Sequence, residues 1–291
     1  MVCWATVPGR TGTVISSLAK SEVCVSASPA TIRLSVVIPM YNEAARMRQS
    51  LPRLLAYLAA QTYSYEVVVV DDGSSDGSAD LARELLADVP HHRVIVSRPN
   101  GGKGKALRVG MPTARGTYVL FTDADLSTLP TELDKFWPWL ESGWDLVIGS
   151  RKMAGSVLVR RQPWLRERLG KVFTWLSDLL ATRDISDVTC GFKAFRQEAA
   201  HDLFRRAQIN DFSFDAEILY LAQRRGYRIM EVPVTWHDER GTKVRIGRDA
   251  VRALRGLFRI RWNAAGGQYG PPVRDRQAVK SRAPVEEKEQ G

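Results

Sequence analysis

Short apolar segments alternate with segments of helical periodicity along the first 150 residues, and this alternation limits the folds open to the chain. Five apolar segments are predicted strands, near residues 34–39, 65–70, 93–97, 118–122 and 144–149. Predicted helices lie between them, near residues 43–60, 77–88, 103–114 and 131–142. Pro52 is expected to kink or split the first of these helices. The pattern is typical of a mostly parallel sheet flanked by helices, so we predict a single α/β domain.

The pattern also sets the expected limits of the domain, at residues 33–262. Residues 1–32 lack a sustained apolar segment, and we predict a disordered N-terminal tail rather than a signal peptide. Residues 263–291 are rich in Gly, Pro, Lys and Glu and are predicted to form a disordered C-terminal tail. No apolar run reaches the roughly 18 residues that a membrane span needs. The three cysteines give neither a disulfide framework nor metal-ligand spacing, which is typical of a reducing cytosol.

The net charge of +10 is concentrated in the second half of the predicted domain. Residues 1–150 contain 14 Lys/Arg and 15 Asp/Glu, whereas residues 151–262 contain 23 and 13. This asymmetry indicates an anionic partner for the second half, which could be a phosphate, a membrane surface or a nucleic acid. A basic face that is merely solvated is the alternative.

Polar clusters follow three of the predicted strands. They are Pro39-Met-Tyr-Asn-Glu43, Asp71-Asp72-Gly73-Ser74-Ser75-Asp76-Gly77 and Asp123-Ala124-Asp125. Since ligands of parallel sheets bind at the carboxyl ends of the strands, we expect one crevice with at least five carboxylates. So many anions need a cation, and oxygen ligands favour Mg²⁺ or Mn²⁺. Each cluster alone fits a turn or a helix cap, but all three at strand ends favour a metal-dependent site.

A fourth cluster, Asn100-Gly-Gly-Lys-Gly-Lys105, is glycine-rich and precedes a predicted helix. It is not a Walker A sequence, because the first glycine of that motif is missing and Ala106 replaces Ser or Thr. Such an entry to a helix can still bind an anion, or it can be a plain loop.

The order of these motifs resembles glycosyltransferase family 2, which has the Rossmann-like GT-A fold. Within the family, the chain is most similar to the branch of dolichyl-phosphate glucosyltransferases and polyprenyl-phosphate mannose synthases. The resemblance covers roughly residues 33–262. Besides the four clusters, the matching segments are Gly149-Ser-Arg151, Arg161-Gln-Pro-Trp164, Asp187-Val-Thr-Cys-Gly-Phe-Lys193 and Phe214-Asp-Ala-Glu217.

The resemblance implies a role for each cluster, with a nucleotide-sugar half at 33–150 and an acceptor- and membrane-facing half at 151–262. Nucleotide-sugar and cofactor contacts are expected from Pro39, Tyr41, Glu43, Val70, Asp72, Lys105, Asp123, Ala124 and Asp125. Asp125 would bind the metal, Mg²⁺ or Mn²⁺, and Asp123 would reach the metal or the donor sugar.

A phosphate acceptor is already ionised at pH 7, so it needs cations more than it needs a base. The candidate cations for the acceptor phosphate are Arg151, Arg166, Arg240 and Lys243. The candidate catalytic residues are Asp125, Arg151, Asp215 and Glu217. Asp215 and Glu217 lie two apart in a predicted helix and do not share a face, so we expect one of them to be structural.

Two segments, 164–180 and 248–262, have apolar residues at helical spacing among arginines and lysines. C-terminal amphipathic helices of this kind suit the surface of an anionic membrane. The alternative is that both stripes pack on the core of the domain. We expect a peripheral protein on the cytoplasmic face of the membrane.

The sequence thus predicts a metal-dependent, inverting hexosyltransferase, with UDP-glucose as donor, polyprenyl phosphate as acceptor and no nucleic acid as partner. GDP-mannose as donor, or an acceptor that is not a lipid, is the nearest alternative. A nucleotidyltransferase would be expected to have a glycine-rich loop after the first strand, where this chain has Pro39-Met-Tyr-Asn-Glu43. A non-catalytic basic binding module would not need the acidic crevice.

Overall fold

The computed structural model describes residues 31–158, 182–237, 246–272 and 280–282. The strands are β1 Leu34–Met40, β2 Tyr65–Asp71, β3 His92–Val96, β4 Tyr118–Thr122, β5 Leu146–Ser150, β6 Val157–Leu158, β7 Phe192–Arg196, β8 Ile229–Pro233, β9 Thr235–Trp236 and β10 Lys280–Arg282. The α-helices are α1 Ala44–Ala59, α2 Ser78–Leu86, α3 Lys103–Gly110, α4 Trp137–Glu141, α5 Gln197–Arg206, α6 Phe214–Arg224 and α7 Ile246–Ala265. Short 3₁₀ helices span Met111–Thr113 and Pro130–Lys135.

The main sheet has the strand order β10-β8-β5-β7-β4-β1-β2-β3. Its pairs are parallel except those of β7, which runs antiparallel to β4 and to β5. The predicted mostly parallel sheet is therefore confirmed. Because β7 runs the other way, its first residues lie at the edge where β1, β2, β4 and β5 end.

Helices cover both faces of this sheet, as the alternation predicts. Alternate residues of β1 point to opposite sides, with Val37 in one buried cluster and Val36 in the other. Helices α3, α5, α6 and α7 pack on the Val37 side, and α1, α2 and α4 pack on the Val36 side. All seven residues of β1 are buried, which explains why six of them are apolar. The exception is Ser35, whose hydroxyl donates to the buried Glu66 Oε1 at 2.6 Å.

Three predicted helices differ in detail. Helix α1 is continuous through Pro52, which lies on its exposed side, so the helix is not split. The helix predicted at 103–114 ends as α-helix at Gly110 and continues as a 3₁₀ turn containing Pro112. The helix predicted at 131–142 is divided into a 3₁₀ helix and α4, in which Pro138 stands near the start. Proline lacks the N–H that a helix interior requires, and both divisions lie beside one.

The C-terminal boundary predicted at residue 262 is too early. Helix α7 continues to Ala265, and the Tyr269 ring is fully buried at 6.1 Å from the Tyr220 ring centroid. Beyond it, Lys280–Arg282 adds a parallel edge strand to β8. The polar composition of the segment gave no sign of the buried Tyr269, which extends the packed domain past the predicted boundary.

Two other predicted segments lie outside the described residues, namely the amphipathic stripe at 164–180 and nearly all of the N-terminal tail at 1–32. Among the residues that the structure describes, no helix is both long and apolar enough to cross a membrane.

Candidate active site

The loops that follow β1 and β2 are tied to each other by hydrogen bonds. The backbone N–H of Asn42 donates to Ser74 Oγ at 2.8 Å, and the Asn42 side chain accepts from the N–H of Ser75 at 2.9 Å. The N–H of Glu43 donates to Ser78 Oγ at 3.0 Å. Asn42 has a φ of 52°, a left-handed conformation that asparagine tolerates better than most residues. The first two polar clusters are therefore joined to each other at the carboxyl ends of β1 and β2.

The two aspartates after β2 are both buried, and both bind backbone N–H groups. Asp71 accepts from the N–H of Ser74 at 3.2 Å. Asp72 accepts from the N–H of Gly101 at 2.9 Å and from that of Gly102 at 2.6 Å. Asp72 thus fixes the start of the glycine-rich segment, and its expected contact with the nucleotide stays a prediction.

The remaining residues expected to contact the nucleotide differ in accessibility. Tyr41 is exposed at the rim, and Glu43 forms an ion pair with Arg46 at 2.9 Å. Pro39 and Val70 are neighbours in the β1–β2 pairing and are both buried. The Val70 side chain lies under α3, so the prediction that it lines the base pocket is not supported by its position.

The glycine-rich segment begins α3 and lies directly against the loop before α6. The N–H of Gly104 donates to the carbonyl of Asn210 at 2.8 Å, and a Cβ on Gly102 would lie 2.6 Å from the same oxygen. Only glycine fits such a close approach. Lys105, the predicted anion contact, donates instead to the carbonyl of Pro99 at 2.6 Å.

The lysine that faces the crevice is Lys103, which the sequence analysis missed. Its ammonium forms an ion pair with Asp123 and lies 5.5 Å from the ring centroids of Phe121 and Phe214. Burial opposes its charge, but Asp123 and Asp215 raise its pKa overall. Residues two apart on a helix point about 200° away from each other, so only one of the two lysines could enter the site.

Asp123, Ala124 and Asp125 follow β4 as predicted. Asp125 is half-buried and accepts from the N–H of Ser127 at 3.0 Å. Burial raises its pKa, and the charge of Asp123 adds to the rise. The Ala124 carbonyl accepts from Ser50 Oγ at 2.6 Å, which holds the turn against α1. From the other side Gly191 packs on Asp123, since a Cβ there would lie 2.1 Å from Oδ2.

Asp215 lies behind Lys103 in the interior. The ammonium of Lys193, which is fully buried, donates to Asp215 Oδ1 and to the carbonyl of Cys190, both at 2.5 Å. Burial raises the pKa of Asp215, although Lys193 and Lys103 oppose the rise. The structure thus brings this predicted catalytic carboxylate near the site, but as one partner of a buried ion pair.

Glu217 is the structural member of the predicted pair. It is fully buried and accepts from the backbone N–H of Gln208 and of Ile209, both at 2.9 Å, and from the hydroxyl of Tyr269 at 2.6 Å. Burial raises its pKa. With three donors around it and no exposed surface, it holds the loop before α6, which favours a structural role, and its catalytic role stays a prediction.

Arg151 follows β5 and is held by Asp187. Its Nε lies 2.7 Å from Asp187 Oδ2 and one terminal nitrogen lies 2.9 Å from Oδ1, a two-point contact. The guanidinium carbon is 5.5 Å from the Trp236 ring. Burial opposes both charges, but the pair raises the pKa of Arg151 and keeps that of Asp187 well below its usual range. The other expected acceptor cations, Arg166, Arg240 and Lys243, lie outside the described residues.

This arrangement can be compared with known proteins. Residues 35–204 match the model of the family described as glycosyl transferase family 2, which is more than half of the chain. The chain belongs to this family. It is therefore a glycosyltransferase, and the predicted family membership is confirmed.

Relatives within glycosyl transferase family 2 cover most of the chain. The chain is 35% identical to dolichyl-phosphate beta-glucosyltransferase of Drosophila melanogaster, over 79% of this chain and 78% of that protein. It is 32% identical to the Homo sapiens protein of the same name, over 79% and 78%. The glucosyl-3-phosphoglycerate synthase of Mycobacterium tuberculosis, solved with Mn²⁺, UDP-glucose and phosphoglyceric acid, has a TM-score of 0.56 at 18% identity, over 84% and 82%. That likeness shows the GT-A-like fold.

Asp123 and Asp125 form an acidic edge of this family 2 fold, and this edge is suited to a divalent cation. Among the residues that the structure describes, no three His, Cys, Asp or Glu side chains converge as a metal-binding group. Asp123 and Asp125 are nevertheless two residues apart in the sequence, and the negative charge of Asp123 contributes to the raised pKa of Asp125. A cation beside both would relieve this repulsion. The donor set therefore fits a metal that takes its other ligands from substrate oxygens and water.

Proposed function

We propose that this glycosyltransferase moves glucose from UDP-glucose onto dolichyl phosphate or another polyprenyl phosphate, with inversion and with the help of Mg²⁺ or Mn²⁺. The observation that carries the proposal is the pair Asp123 and Asp125, which faces Lys103 at the carboxyl edge of the sheet. Relatives named dolichyl-phosphate beta-glucosyltransferase support the acceptor and the product. UDP-glucose is an α-glucoside, so a β product requires inversion.

The acidic edge provides for the donor. Asp123 and Asp125 would hold the cation, which when bound offsets the charge that develops on the departing diphosphate. The Lys103 ammonium, which pairs with Asp123, would bind an oxygen of the same diphosphate. Asp123 and the buried Asp215 keep its charge in place when donor is absent.

The state of Asp215 favours a phosphate acceptor. An alcohol acceptor must lose a proton, so it needs a free base. Asp215 is buried and bound to Lys193 at 2.5 Å, which makes it a poor base. A phosphate monoester can attack directly. Its oxygen forms the new bond to C1 as the bond from C1 to the diphosphate breaks, UDP leaves with the electron pair, and no proton is transferred.

Arg151 is a candidate contact for the acceptor phosphate, since Asp187 and Trp236 fix its guanidinium beside the same edge of the sheet. Arg166, Arg240 and Lys243 remain predicted members of this cation group. The acceptor is a membrane lipid, so the proposal includes an anionic membrane surface as partner and a peripheral location on its cytoplasmic face.

The test is incorporation of labelled sugar into an organic-extractable product. Purified protein would receive polyprenyl phosphate and Mg²⁺ or Mn²⁺ with UDP-glucose, UDP-GlcNAc or GDP-mannose in parallel. We expect a signal with UDP-glucose that a chelator removes. Asp125→Asn should lower turnover by about 100-fold or more, whereas Asp88→Asn on the exposed surface should not. A signal with GDP-mannose alone would change the donor, and near-normal turnover of Asp125→Asn would refute the metal role.

A further inference from the structure

Over residues 254–265, where the structure describes its side chains, helix α7 has two apolar stripes, and the domain buries one of them. Leu257 and Ile260 are fully buried in the core on the α3 side of the sheet. Gly256 packs against the start of α6, where a Cβ would lie 2.1 Å from Ser213 Oγ. The inner stripe therefore fixes the helix, and it accounts for only part of the apolar spacing in this segment.

The outer stripe consists of Leu254, Phe258 and Trp262, which recur every four residues. Their exposed fractions are 37%, 58% and 78%. Monomeric proteins seldom leave contiguous large apolar side chains in water, and such a patch marks an interaction site.

Basic residues flank the outer stripe. Arg255, Arg259 and Arg261 are all exposed, and residues 254–265 contain no Asp or Glu. This favours a negatively charged partner. It also argues against a second copy of the chain, because a symmetric contact through this helix would bring the arginines of both copies together.

Helix α7, which carries the outer stripe, is connected to the candidate active site through one loop. Phe212, which is 63% exposed, directly precedes Ser213, the residue that contacts Gly256 of α7. Two residues before Phe212, the carbonyl of Asn210 accepts from Gly104 at the start of α3, next to Lys103. Helix α7 thus contacts, through its buried Gly256, the loop that supports the lysine of the site.

We propose that Leu254, Phe258 and Trp262, together with Phe212, form the surface that docks this enzyme on an anionic bilayer. The apolar side chains enter the region between headgroups and acyl chains, and the three arginines bind lipid phosphates. The proposal rests on the proposed function in one respect: a lipid acceptor gives the enzyme a reason to dock there.

Binding to vesicles tests this surface independently of turnover. The full chain would be sedimented with vesicles of phosphatidylcholine alone, or of phosphatidylcholine with phosphatidylglycerol at about 2:1, without polyprenyl phosphate. We expect binding only to the anionic vesicles, weakening with salt. Phe258→Ser with Trp262→Ser should weaken it by at least about tenfold, and Arg255→Gln with Arg259→Gln by about fivefold per arginine.

Matched controls lie away from α7. Arg48→Gln with Arg53→Gln removes two exposed arginines from α1, on the opposite face of the sheet, and Val157→Ser removes an exposed apolar side chain. These variants should bind as the unchanged protein does. Equal loss in the controls, or full binding by the α7 variants, would overturn the proposal.

Two further measurements separate the remaining outcomes. Light scattering after size exclusion should give a monomer; a dimer that Phe258→Ser with Trp262→Ser dissociates would assign the stripe to a second copy and overturn the proposal. With a short, water-soluble polyprenyl phosphate the α7 variants should keep their turnover, and they should lose it only with vesicle-borne acceptor. Normal vesicle binding without sugar transfer to either acceptor would instead contradict the proposed function and leave the docking surface intact.

Discussion

The contact between Tyr269 and Glu217 gives a direct test of whether Glu217 is structural. Both side chains are fully buried, and the tyrosine hydroxyl donates to Glu217 Oε1 at 2.6 Å while it accepts from Asn263 Nδ2 at 3.2 Å. Tyr269→Phe removes both hydrogen bonds and leaves the rest of the ring in place. It therefore isolates the hydroxyl from the packing of the aromatic ring.

The expected magnitude follows from the groups left behind. A hydrogen bond to an ionised group contributes about 1.5–3 kcal/mol, and an unsatisfied buried amide costs about 1 kcal/mol or more. We expect Tyr269→Phe to lower the free energy of unfolding by about 2–3 kcal/mol. Glu217→Gln should cost about 3 kcal/mol, because its amide NH₂ donates and does not accept, so the backbone N–H of Gln208 or of Ile209 loses its acceptor.

The pH dependence adds a signature. Burial raises the pKa of Glu217, and the Tyr269 hydroxyl opposes that rise. A raised folded-state pKa means that stability is greatest below the unfolded value of about 4.3 and falls as pH rises through the folded value. Without the hydroxyl the pKa rises further. The loss in free energy of unfolding caused by Tyr269→Phe should therefore be larger at neutral pH than near pH 4.

Urea unfolding at several pH values measures these differences, and sugar transfer at low temperature measures turnover of the folded protein. The two substitutions should interact, so the double variant should lose about 1–2 kcal/mol less than the sum of the single losses. Turnover per folded molecule should stay near that of the unchanged protein. A Glu217→Gln variant that is fully stable but inactive would refute the reasoning and make Glu217 catalytic.

Three other perturbations follow from the site. Lys103→Met should lower turnover by about tenfold or more, because it removes the cation beside Asp123, whereas Lys105→Met should have little effect; steady-state kinetics compares them. Gly191→Ala should lower turnover in the same assay with little change in melting temperature, since its Cβ would lie 2.1 Å from Asp123 Oδ2 and displace that carboxylate. The low pKa of Asp187 means that its pair with Arg151 stabilises the fold above about pH 4 and is lost as pH falls through the folded-state value. Asp187→Asn should therefore flatten the acid side of the stability curve measured by urea unfolding.

The sheet was predictable because its signal is local and repeated. Strands β1, β2 and β4 are mostly apolar, with only the buried Ser35 and Glu66 inside the first two, and a polar cluster follows each of them. The antiparallel β7 was not predicted, since the short sequence Phe192–Arg196 carries no mark of its direction. Its direction matters, because it brings Gly191 and Lys193 to the site.

The candidate site was only partly predictable, since residue type and spacing do not give orientation. Lys103 and Lys105 are both in the glycine-rich segment. Which of them faces Asp123 depends on where α3 begins, and it begins at Lys103. In the same way, the sequence supports Asp215 and Glu217 equally as candidate catalytic residues. What separates them is Tyr269, 52 residues further along the chain, in a segment whose composition indicates a tail.

The loop at 208–213 connects these observations. The backbone N–H groups of its first two residues donate to Glu217. The carbonyl of Asn210 accepts from the N–H of Gly104 in α3, and Ser213 packs on Gly256 of α7. One short segment therefore carries restraints from the C-terminal anchor, the lysine of the site and the helix with the outer stripe. This connection suits the proposed lipid acceptor, because a contact that holds the enzyme on a lipid surface would also set where that surface meets the site.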